Sequence, residues 1–478
     1  MNTLKEITTP QLEKIHSGKV RESFRVGNAR LIASTNRISC FNKVLEATQP
    51  HKGAILNQLS AFWFEKTAHI VPSAFLKVVD PNMCLMKEAT PLRVEMIVRG
   101  YLTGSIWRQY VKGERTFSGV TLPDGMSMND PFPQPILTPT TKCEEDRGIA
   151  PDEIVSSGLV AEATYQKMSE VALALFEFGS QWCKERGLIL VDTKYEFGLI
   201  GSELVLIDEI HTPDSSRFWK QEEYDATGGK ASWMDKEYIR QALLDKGDVP
   251  SSIKTVPSDI VYEASERYKW VYEAITGTQF KDEEDAPKTR MCQNLVREGI
   301  IKDGYVAMVL GSKSDFDHAM KIKDHLDRYD VMVDIRVLSA HKNGEAIPAL
   351  AKEYNHSMEP GVVIAIAGRS NGLGGALAAN LVVQVVNCPP FSSKEDCAQN
   401  VNSSLMMPSA TPAVTCVYPD NAAMAALRAL SIPRLKELFC SDIEEIKAGL
   451  AAADEQMKKA FRSKSADSAA ESKNKALV

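Results

Sequence analysis

The sequence has no long apolar run, no closely spaced cysteine pair and no excess of basic residues, and each absence excludes a class of protein. No stretch approaches about 18 consecutive apolar residues, so a membrane-spanning helix is not predicted. The N-terminus lacks the apolar core of a signal peptide. The net charge of −7 and the pI near 5.8 argue against a basic surface for nucleic acid or membrane. We expect a cytoplasmic protein without such partners.

The cysteines are spread too widely for a metal or disulfide framework. No CxxC pair occurs and their number is odd, which argues against a structural zinc site and against a set of disulfides. We predict that they are reduced thiols in the core. They are Cys40, Cys84, Cys143, Cys183, Cys292, Cys388, Cys397, Cys416 and Cys440.

The length indicates more than one domain. A single hydrophobic core rarely organises 478 residues, and a hydrophobic content of 44% is ample for two globular units. The pattern of predicted elements also changes near residue 303, from mixed strands and helices to regular strand–helix alternation. We predict a first domain over 1–275, a helical connector over 276–303, a second domain over 304–461 and a disordered tail over 462–478. The predicted fold class combines α+β and α/β.

Charged residues follow short apolar runs between residues 188 and 219. The apolar runs at 188–191 and 204–207 are typical of buried strands, and the glycine-containing stretch at 198–202 predicts an antiparallel turn between them. A hairpin of this kind would bring the acidic residues that follow each run to one place.

Asp192, Lys194 and Glu196 lie at period-2 spacing, so they are predicted to share one face of the sheet. The hairpin would set them beside Asp208 and Glu209. Two carboxylates from adjacent strands facing a lysine suit an octahedral Mg²⁺ that also receives phosphate oxygens. The alternative interpretation is a salt-bridged, solvent-exposed sheet face.

Two further segments carry chemistry suited to phosphate. Near the N-terminus, Gly18 permits close backbone approach, and Lys19 and Arg21 follow it. Around Arg99 and Ser105, a guanidinium, a glycine and a hydroxyl precede a predicted helix, a common arrangement for a phosphate at a helix N-terminus. The alternative for the second segment is an ordinary glycine turn beside a surface arginine.

Five motifs occur in one order over about residues 10–275: GKVRESF, VRGYLTGS, PTTK, VDTKYEFG and DEIHTPDSSRFW. Together they resemble SAICAR synthetase, the purine-pathway ligase that joins carboxyaminoimidazole ribotide (CAIR) to L-aspartate with ATP. The resemblance implies an ATP-grasp-like fold that holds the nucleotide between two sheets, with ATP and Mg²⁺ as cofactors.

The resemblance also implies roles for individual residues of this sequence. The residues implied to contact ATP are Lys19, Arg21 and Lys142 at the phosphates, and Met86 and Lys87 at the adenine. Those implied to bind Mg²⁺ are Glu196 and Asp208. Those implied at the ribotide are Arg99, Ser105, Asp214, Ser215 and Arg217, with Asp192 and Lys194 as catalytic residues near the carboxylated imidazole. The sequence departs from the family loop TDRISAFD, because Asn36 and Asn42 stand where aspartates are common.

The second domain reads as alternating strands and helices, which predicts a doubly wound, three-layer αβα domain around a parallel sheet. In such folds ligands bind at the carboxyl ends of the strands. The predicted strands are 306–310, 331–337 and 361–365, and the predicted helices are 315–326, 345–354 and 374–383.

Polar residues follow each of these three strands and are predicted to meet at one sheet edge. Of these, Asp315 is suited either to capping a helix or to a ribose hydroxyl, and His341 is the best acid–base candidate. The set comprises Ser312, Ser314 and Asp315 after the first strand, His341 and Lys342 after the second, and Ser370 and Asn371 after the third.

The motifs SAHK and AGRSNGLG over about residues 304–425 resemble class II AIR carboxylase, which carboxylates aminoimidazole ribotide (AIR) directly with CO₂. The resemblance implies that Ser312, Asp315 and Lys342 hold the ribotide. It further implies that His341 and Lys342 transfer protons, that Ser370 lines the CO₂ pocket, and that no biotin is needed. Two alternatives stay open: a class I mutase that requires the carbamate ribotide, and a nucleotide-binding regulator without turnover.

An apolar run at 376–386 is predicted to be a helix that must be covered on every side, and neighbouring subunits would provide that cover. The AIR carboxylase resemblance implies a homo-octamer built through the second domain. The alternative is burial of the run within one subunit. The predicted small-molecule partners are AIR, CO₂, CAIR, L-aspartate and ATP.

Overall fold

The computed structural model describes the backbone of residues 4–142, 147–247, 250–282 and 285–475, and the side chains of these ranges to residue 462. The chain forms two compact units. The first comprises Met1–Ile7 with Leu12–Ile301, and the second comprises Thr8–Gln11 with Lys302–Val478. Within the described ranges, no helix is long and apolar enough to cross a membrane.

The first unit contains two large antiparallel sheets and the helices that pack on them. Its strands are β1 (Lys14–Ser17), β2 (Arg21–Val26), β3 (Ala29–Ser34), β4 (Arg37–Cys40), β5 (Lys43–Thr48), β6 (Phe75–Asp80), β7 (Met83–Lys87), β8 (Thr90–Tyr101), β9 (Thr116–Phe117), β10 (Val120–Thr121), β11 (Pro131–Leu137), β12 (Thr140–Thr141), β13 (Leu188–Ile200), β14 (Glu203–Ile207) and β15 (Ser216–Lys220). Its helices are α1 (Lys52–Lys66), α2 (Gly104–Tyr110), α3 (Pro151–Ser156), α4 (Glu162–Lys184), α5 (Gln221–Thr227), α6 (Glu237–Asp245), α7 (Ser258–Thr276) and α8 (Pro287–Arg297).

The two sheets carry most of the residues that the sequence singles out. One sheet has the order β1-β2-β3-β7-β6. The other has the order β11-β8-β13-β14, with β12 on β8 and β15 on β13. Helix α4 packs on the second sheet through Val171, Leu175 and Phe176, which share one core cluster with the apolar residues of β8 and β13.

The predicted hairpin is partly wrong, because the strand does not stop at its first acid. Strand β13 runs without a break from Leu188 through Asp192 to Ile200, and only its end, from Glu196 onward, pairs with β14. Strands β8 and β15 flank the earlier part and supply its ladder partners. A strand whose backbone is paired on both sides can continue through charged residues, whereas apolarity alone predicts an early end.

A β-bulge in β13 decides which side chains face the core. The register against β15 shifts between Leu190 and Asp192. Leu188 and Leu190 before the shift lie in the same core cluster as Tyr195 and Phe197 after it. Because one extra residue reverses the alternation of side chains, the charged residues that follow the bulge turn away from that core.

The second unit is a parallel sheet with helices on both faces, and its predicted fold is confirmed. Its strand order is β17-β16-β18-β19-β20 and every pairing is parallel. Its strands are β16 (Tyr305–Leu310), β17 (Met332–Val337), β18 (Gly361–Ile366), β19 (Gln384–Asn387) and β20 (Val414–Thr415). Its helices are α9 (Phe316–Leu326), α10 (Ile347–Asn355), α11 (Gly372–Asn380), α12 (Lys394–Leu405), α13 (Pro419–Leu430) and α14 (Pro433–Lys475).

The apolar run at 376–386 is not one helix, which corrects the prediction. Helix α11 ends at Asn380, and the run continues into strand β19, where Val385 and Val386 are buried inside the sheet. Part of the apolarity is therefore explained by a central strand of a parallel sheet, which is buried on both faces. Val382, between the two elements, remains 81% exposed.

The last helix differs from its prediction. Helix α14 begins at Pro433, and its backbone stays helical to Lys475, although a disordered tail is predicted from residue 462. The stretch is rich in alanine, lysine and glutamate, which have high helix propensity. Side chains beyond residue 462 and residues 476–478 lie outside the described part.

The prediction that the cysteines are reduced thiols in the core is confirmed in part. None of the eight cysteines within the described residues forms a disulfide, and five of them are buried. Cys440 is exposed, so it is not a core thiol. Cys143 lies outside the described residues.

Candidate functional site

A cavity of about 780 Å³ in the first unit is lined by residues of both sheets. It brings together most of the residues predicted near ATP and Mg²⁺, although they come from distant parts of the sequence. Those lining it are Lys19, Arg21, Met86, Lys87, Lys142, Lys194, Glu196 and Asp208. Arg217 and Asp214 line it as well. Four predicted residues of the first unit do not line it: Arg99, Ser105, Asp192 and Ser215.

One wall of the cavity is a ladder of alternating charges on β8 and β13. Glu196 lies directly opposite Glu95 across the two strands. Lys194 donates to both carboxylates, at 2.8 Å to Glu196 and 3.1 Å to Glu95. Lys142 also donates to Glu196. The lysines outweigh burial and hold the pKa of Glu196 well below its usual range, so this carboxylate is ionised.

Asp208 has a different environment from Glu196, although both line the cavity. It follows the end of β14 with φ of +68°, a conformation that Asp and Asn tolerate better than most residues. Arg21 donates to its carboxylate at 2.9 Å. Burial, with the nearby charges of Glu196 and Glu209, nevertheless raises the pKa of Asp208 well above its usual range.

A second group of charges lies further along β13, where two arginines share one carboxylate. Asp192 stands opposite Arg99 on β8 and Arg217 on β15. Both guanidiniums donate to the same oxygen, Oδ2, at 3.1 Å and 2.5 Å. Arg99 also reaches the Ser105 hydroxyl at 3.5 Å. Burial, together with the neighbouring Arg217, lowers the pKa of Arg99 to about 10. These contacts bring the predicted phosphate-binding residues together.

Gly104 is required beside this arginine pair. Its φ is +63°, and a Cβ at this position would lie 2.6 Å from a guanidinium nitrogen of Arg217. Any larger residue would push the guanidinium away from Asp192. The glycine in the predicted phosphate segment thus serves close side-chain approach as well as the turn.

The positive charge here exceeds the negative charge. Arg217 and Arg240 both approach Glu237, at 3.5 Å and 3.4 Å, and Arg240 has a buried Nε–H without an acceptor among the described residues. Four guanidiniums therefore meet three carboxylates: Arg99, Arg108, Arg217 and Arg240 against Asp192, Asp235 and Glu237. The excess suits an anionic ligand such as a phosphate or a carboxylate.

Two predicted substrate-binding residues already have partners within the protein. The Asp214 carboxylate contacts Lys52 at 2.9 Å and accepts from the Tyr268 hydroxyl at 2.8 Å. These contacts outweigh burial and lower the pKa of Asp214 to about 2. The Ser215 hydroxyl accepts from the Thr212 backbone N–H at 3.2 Å within the turn. Both residues stabilise the loop between β14 and β15.

The two asparagines that replace the family aspartates lie in different environments. Asn42 lines the cavity. Asn36 does not, and its side-chain oxygen accepts from the backbone N–H of Gly53, in the first turn of α1, at 3.1 Å. An amide oxygen serves this structural role without a charge.

In the second unit the predicted residues follow parallel strands and therefore lie at one sheet edge. Gly372 and His341 are in contact, because a Cβ on Gly372 would lie 2.8 Å from the ring carbon Cε1. This places the loops after β17 and β18 side by side. His341 and Lys342 are exposed, as are Ser312, Ser314 and Ser370.

Several of these side chains also have local structural roles. The Ser312 hydroxyl accepts from Ser314 at 2.9 Å and caps the short turn before α9. Asn371 is buried, caps α11 by accepting from Gly374 at 3.0 Å, and donates to Ser404 at 2.8 Å. Burial raises the pKa of Asp315.

Comparison with known proteins identifies the family of the first unit. Residues 14–255 match the family model described as SAICAR synthetase, which spans just over half of the 478 residues. The chain belongs to the SAICAR synthetase family. Phosphoribosylaminoimidazole-succinocarboxamide synthase of Cytophaga hutchinsonii is 40% identical over 308 residues, which cover 62% of this chain and 99% of that protein. The Legionella pneumophila (strain Lens) protein of the same name is 41% identical over 279 residues, 56% of this chain and 89% of its own.

A solved structure agrees with this assignment. SAICAR synthase from Saccharomyces cerevisiae, complexed with SAICAR, has 31% sequence identity and a TM-score of 0.53, and the match covers 59% of this chain and all of that one. The first unit thus has the SAICAR synthetase fold. Residues 305–459 match the family model described as AIR carboxylase. The chain combines the two families and is a bifunctional enzyme of purine biosynthesis.

The SAICAR synthetase cavity contains charged residues that the sequence did not single out as site residues. Glu95 faces Glu196 across the ladder, and Lys236, Glu237 and Arg240 line the same cavity. Glu95 could have been predicted from the sequence, because it lies four residues before Arg99 and therefore points to the same face of β8. The 236–240 segment shows ordinary helical charge spacing, which is equally typical of a solvated surface.

Proposed function

We propose that the first unit ligates CAIR to L-aspartate with ATP and that the second unit forms CAIR from AIR and CO₂. The observation that carries the ligase proposal is that β13 bears two charge groups, of which one lines the cavity and the other reaches it through Arg217. The Glu95–Lys194–Glu196 ladder suits a nucleotide–metal complex, and the Arg99–Asp192–Arg217 group suits the ribotide. The matching relatives are named as synthases of this reaction, which supports the proposal.

In the proposed ligation a carboxylate oxygen of CAIR attacks the γ-phosphorus of ATP, and ADP leaves. The aspartate amine then attacks the acyl carbon, phosphate leaves and an amide forms, with the amine proton released. Lys19, Arg21 and Lys142 would neutralise the charge that spreads over the transferred phosphoryl group. Arg99 and Arg217 would hold the ribotide phosphate, and Lys194 would orient the imidazole carboxylate.

Glu196 and Asp208 would hold Mg²⁺, and the residues present fit that ion. Among the described side chains, no group of three or more acidic, histidine or cysteine residues is arranged to hold a metal ion. Mg²⁺ that binds with a nucleotide usually takes one or two carboxylates, with phosphate oxygens and water completing its shell. When bound, the metal would withdraw charge from the phosphates.

In the proposed carboxylation the nucleophilic ring carbon of AIR attacks the carbon of CO₂, and the ring then loses a proton. His341, next to the glycine-rich loop, would accept that proton, with Lys342 beside it. Ser312 and Asp315 would hold the ribotide, and Ser370 would line the CO₂ pocket. The direct use of CO₂ rests on SAHK and AGRSNGLG, whereas a class I mutase is the alternative.

One assay on the full chain tests both halves. AIR, labelled bicarbonate, L-aspartate and ATP are supplied together, and labelled SAICAR is the expected product. Omission of ATP and aspartate should still leave labelled CAIR. A requirement for the carbamate ribotide would indicate the mutase, and absence of both products would indicate the regulator.

Replacement of Arg217 by alanine is expected to raise the KM for CAIR in the ligase reaction. A charge-assisted contact to phosphate is worth roughly 1.5–3 kcal/mol, so the increase should be about ten- to hundredfold. Steady-state kinetics with varied CAIR measures this. Arg25→Ala, on an exposed arginine of β2 that pairs with Glu13, is the matched control. An unchanged KM would remove Arg217 from the ribotide site.

We further propose that the second unit assembles into an octamer, as the AIR carboxylase resemblance implies. Val382 is the residue to test, because it is exposed, whereas its neighbour Leu381 packs against the core of its own unit. Val382→Glu is therefore expected to split the assembly, since a charge would enter an apolar contact. Val111→Glu, at a 59% exposed valine of the first unit, is the control. Native mass spectrometry decides, and a monomeric, active wild type would contradict the proposal.

A further inference from the structure

Arg37 lies behind the nucleotide-binding turn and contacts the backbone of that turn. It begins β4 and does not line the cavity, and its side chain is 13% exposed. Its Nη2 donates to the carbonyl of Gly18 at 2.9 Å, and its Nε donates to the carbonyl of Lys19 at 3.0 Å. A weaker contact of 3.5 Å reaches the carbonyl of Arg21.

Thr35 binds the remaining carbonyl of the same turn. Both its backbone N–H, at 2.9 Å, and its hydroxyl, at 2.5 Å, donate to the carbonyl of Val20. The Arg21 carbonyl also accepts from the backbone N–H of Gly18 at 2.8 Å. All four carbonyls from Gly18 to Arg21 therefore have donors, and Arg37 and Thr35 supply most of them.

The orientation of these carbonyls fixes the orientation of the neighbouring N–H groups. In a trans peptide the C=O and the following N–H point in opposite directions. Because the carbonyls of Gly18 and Lys19 point toward Arg37, the N–H groups of Lys19 and Val20 point away from it. Both residues line the cavity, and neither N–H has an acceptor within the described ranges. Successive N–H groups aimed at one place form an anion-binding site.

The N–H donors of Arg37 are all occupied within the protein, so it acts through geometry. Glu22 is 1% exposed and accepts from Nη1 of Arg37 at 2.6 Å. The same Nη1 also donates to the carbonyl of Lys5 at 2.7 Å. With its donors occupied by carbonyls and by Glu22, the guanidinium has no group left for a phosphate. A lysine could neutralise Glu22, but it could not hold two carbonyls in a fixed fork.

We propose that Arg37 is a positioning residue for ATP: it orients the Gly18–Lys19 peptides so that the N–H groups of Lys19 and Val20 bind the polyphosphate. The inference rests on the proposed function and deepens it, since it assigns the phosphate contact to backbone groups and their orientation to one side chain. Thr35 likewise orients the turn by binding the carbonyl of Val20. Binding of the adenosine part is independent of Arg37.

The test compares ADP with adenosine, because the two differ in the phosphates alone. Arg37→Lys in the full chain is expected to weaken Mg²⁺–ADP binding by at least about tenfold, as expected when charge-assisted contacts orient the site. Adenosine binding should stay unchanged, as measured by calorimetry. In kinetics the KM for ATP should rise while the KM for CAIR and the carboxylase activity stay the same. Arg25→Lys is the matched control.

Each outcome decides one question. Wild-type-like ADP binding in Arg37→Lys would overturn the inference, and so would an equal loss of ADP and adenosine binding, which indicates general damage. If Arg37→Lys fails to fold, Thr35→Val replaces it, because that change removes the hydroxyl donor to Val20 and keeps side-chain volume. It should weaken ADP binding selectively but less. A wild type that neither binds ADP nor forms SAICAR would refute the proposed function itself.

Discussion

Replacement of Asp208 by asparagine is expected to abolish ligation and to leave carboxylation intact. Asparagine has nearly the same shape as aspartate and tolerates the left-handed backbone at φ of +68°, so the fold should persist. The change removes one of two proposed Mg²⁺ ligands beside Glu196. Because metal stabilisation of a phosphoryl transition state is worth several kcal/mol, the loss in ligase kcat should be about a thousandfold.

Formation of SAICAR from supplied CAIR, and of CAIR from AIR, are measured on the same protein sample. Asp330→Asn is a matched control, because Asp330 also has positive φ and precedes β17 at the sheet edge remote from His341. Equal loss of both activities in Asp208→Asn would contradict separate sites. Near-normal ligation would exclude Asp208 as a metal ligand.

Replacement of His341 by asparagine should give the opposite pattern, with carboxylation lost and ligation retained. His341 is exposed, so its removal leaves no cavity in the core. Proton transfer by a positioned side chain contributes about 10²–10⁴-fold, and the same loss is expected in CAIR formation. Since a proton acceptor in one direction is the donor in the other, decarboxylation of CAIR should fall by the same factor.

Incorporation of labelled bicarbonate into CAIR measures one direction, and loss of label from CAIR measures the other, both without ATP. His325→Asn is the control, because His325 is exposed on α9 and belongs to none of the proposed sites. Retained turnover in His341→Asn would assign the proton to another group. A loss of SAICAR synthesis from supplied CAIR would show that the substitution damages the whole chain.

The fold of the second unit was predictable because its central strands, β16 and β18, are apolar throughout and its strands alternate with amphipathic helices. The prediction was wrong where this signal is ambiguous. The run 376–386 has the same apolarity in helix α11 and in strand β19, so composition could not show where the helix ends. In the first unit, apolarity predicted a strand end at residue 191, whereas pairing with two neighbours carries β13 on to Ile200.

The sequence by itself determined the two families, the order of the domains and the chemical types at the sites, because those depend on short motifs with local spacing. The tertiary structure decided which of these residues contact one another. It set Glu95 opposite Glu196, brought Arg99 and Arg217 to one oxygen of Asp192, and engaged Asn371 and Ser215 as structural groups.

The physical reason is that cross-strand register and side-chain direction depend on contacts between segments far apart in the chain. One extra residue at the bulge after Leu190 reverses which side chains of β13 face the core, and only the pairing with β15 shows that it is there. Likewise, the carbonyls of Gly18 and Lys19 are oriented by Arg37, about 18 residues further on, through bonds that no local pattern predicts.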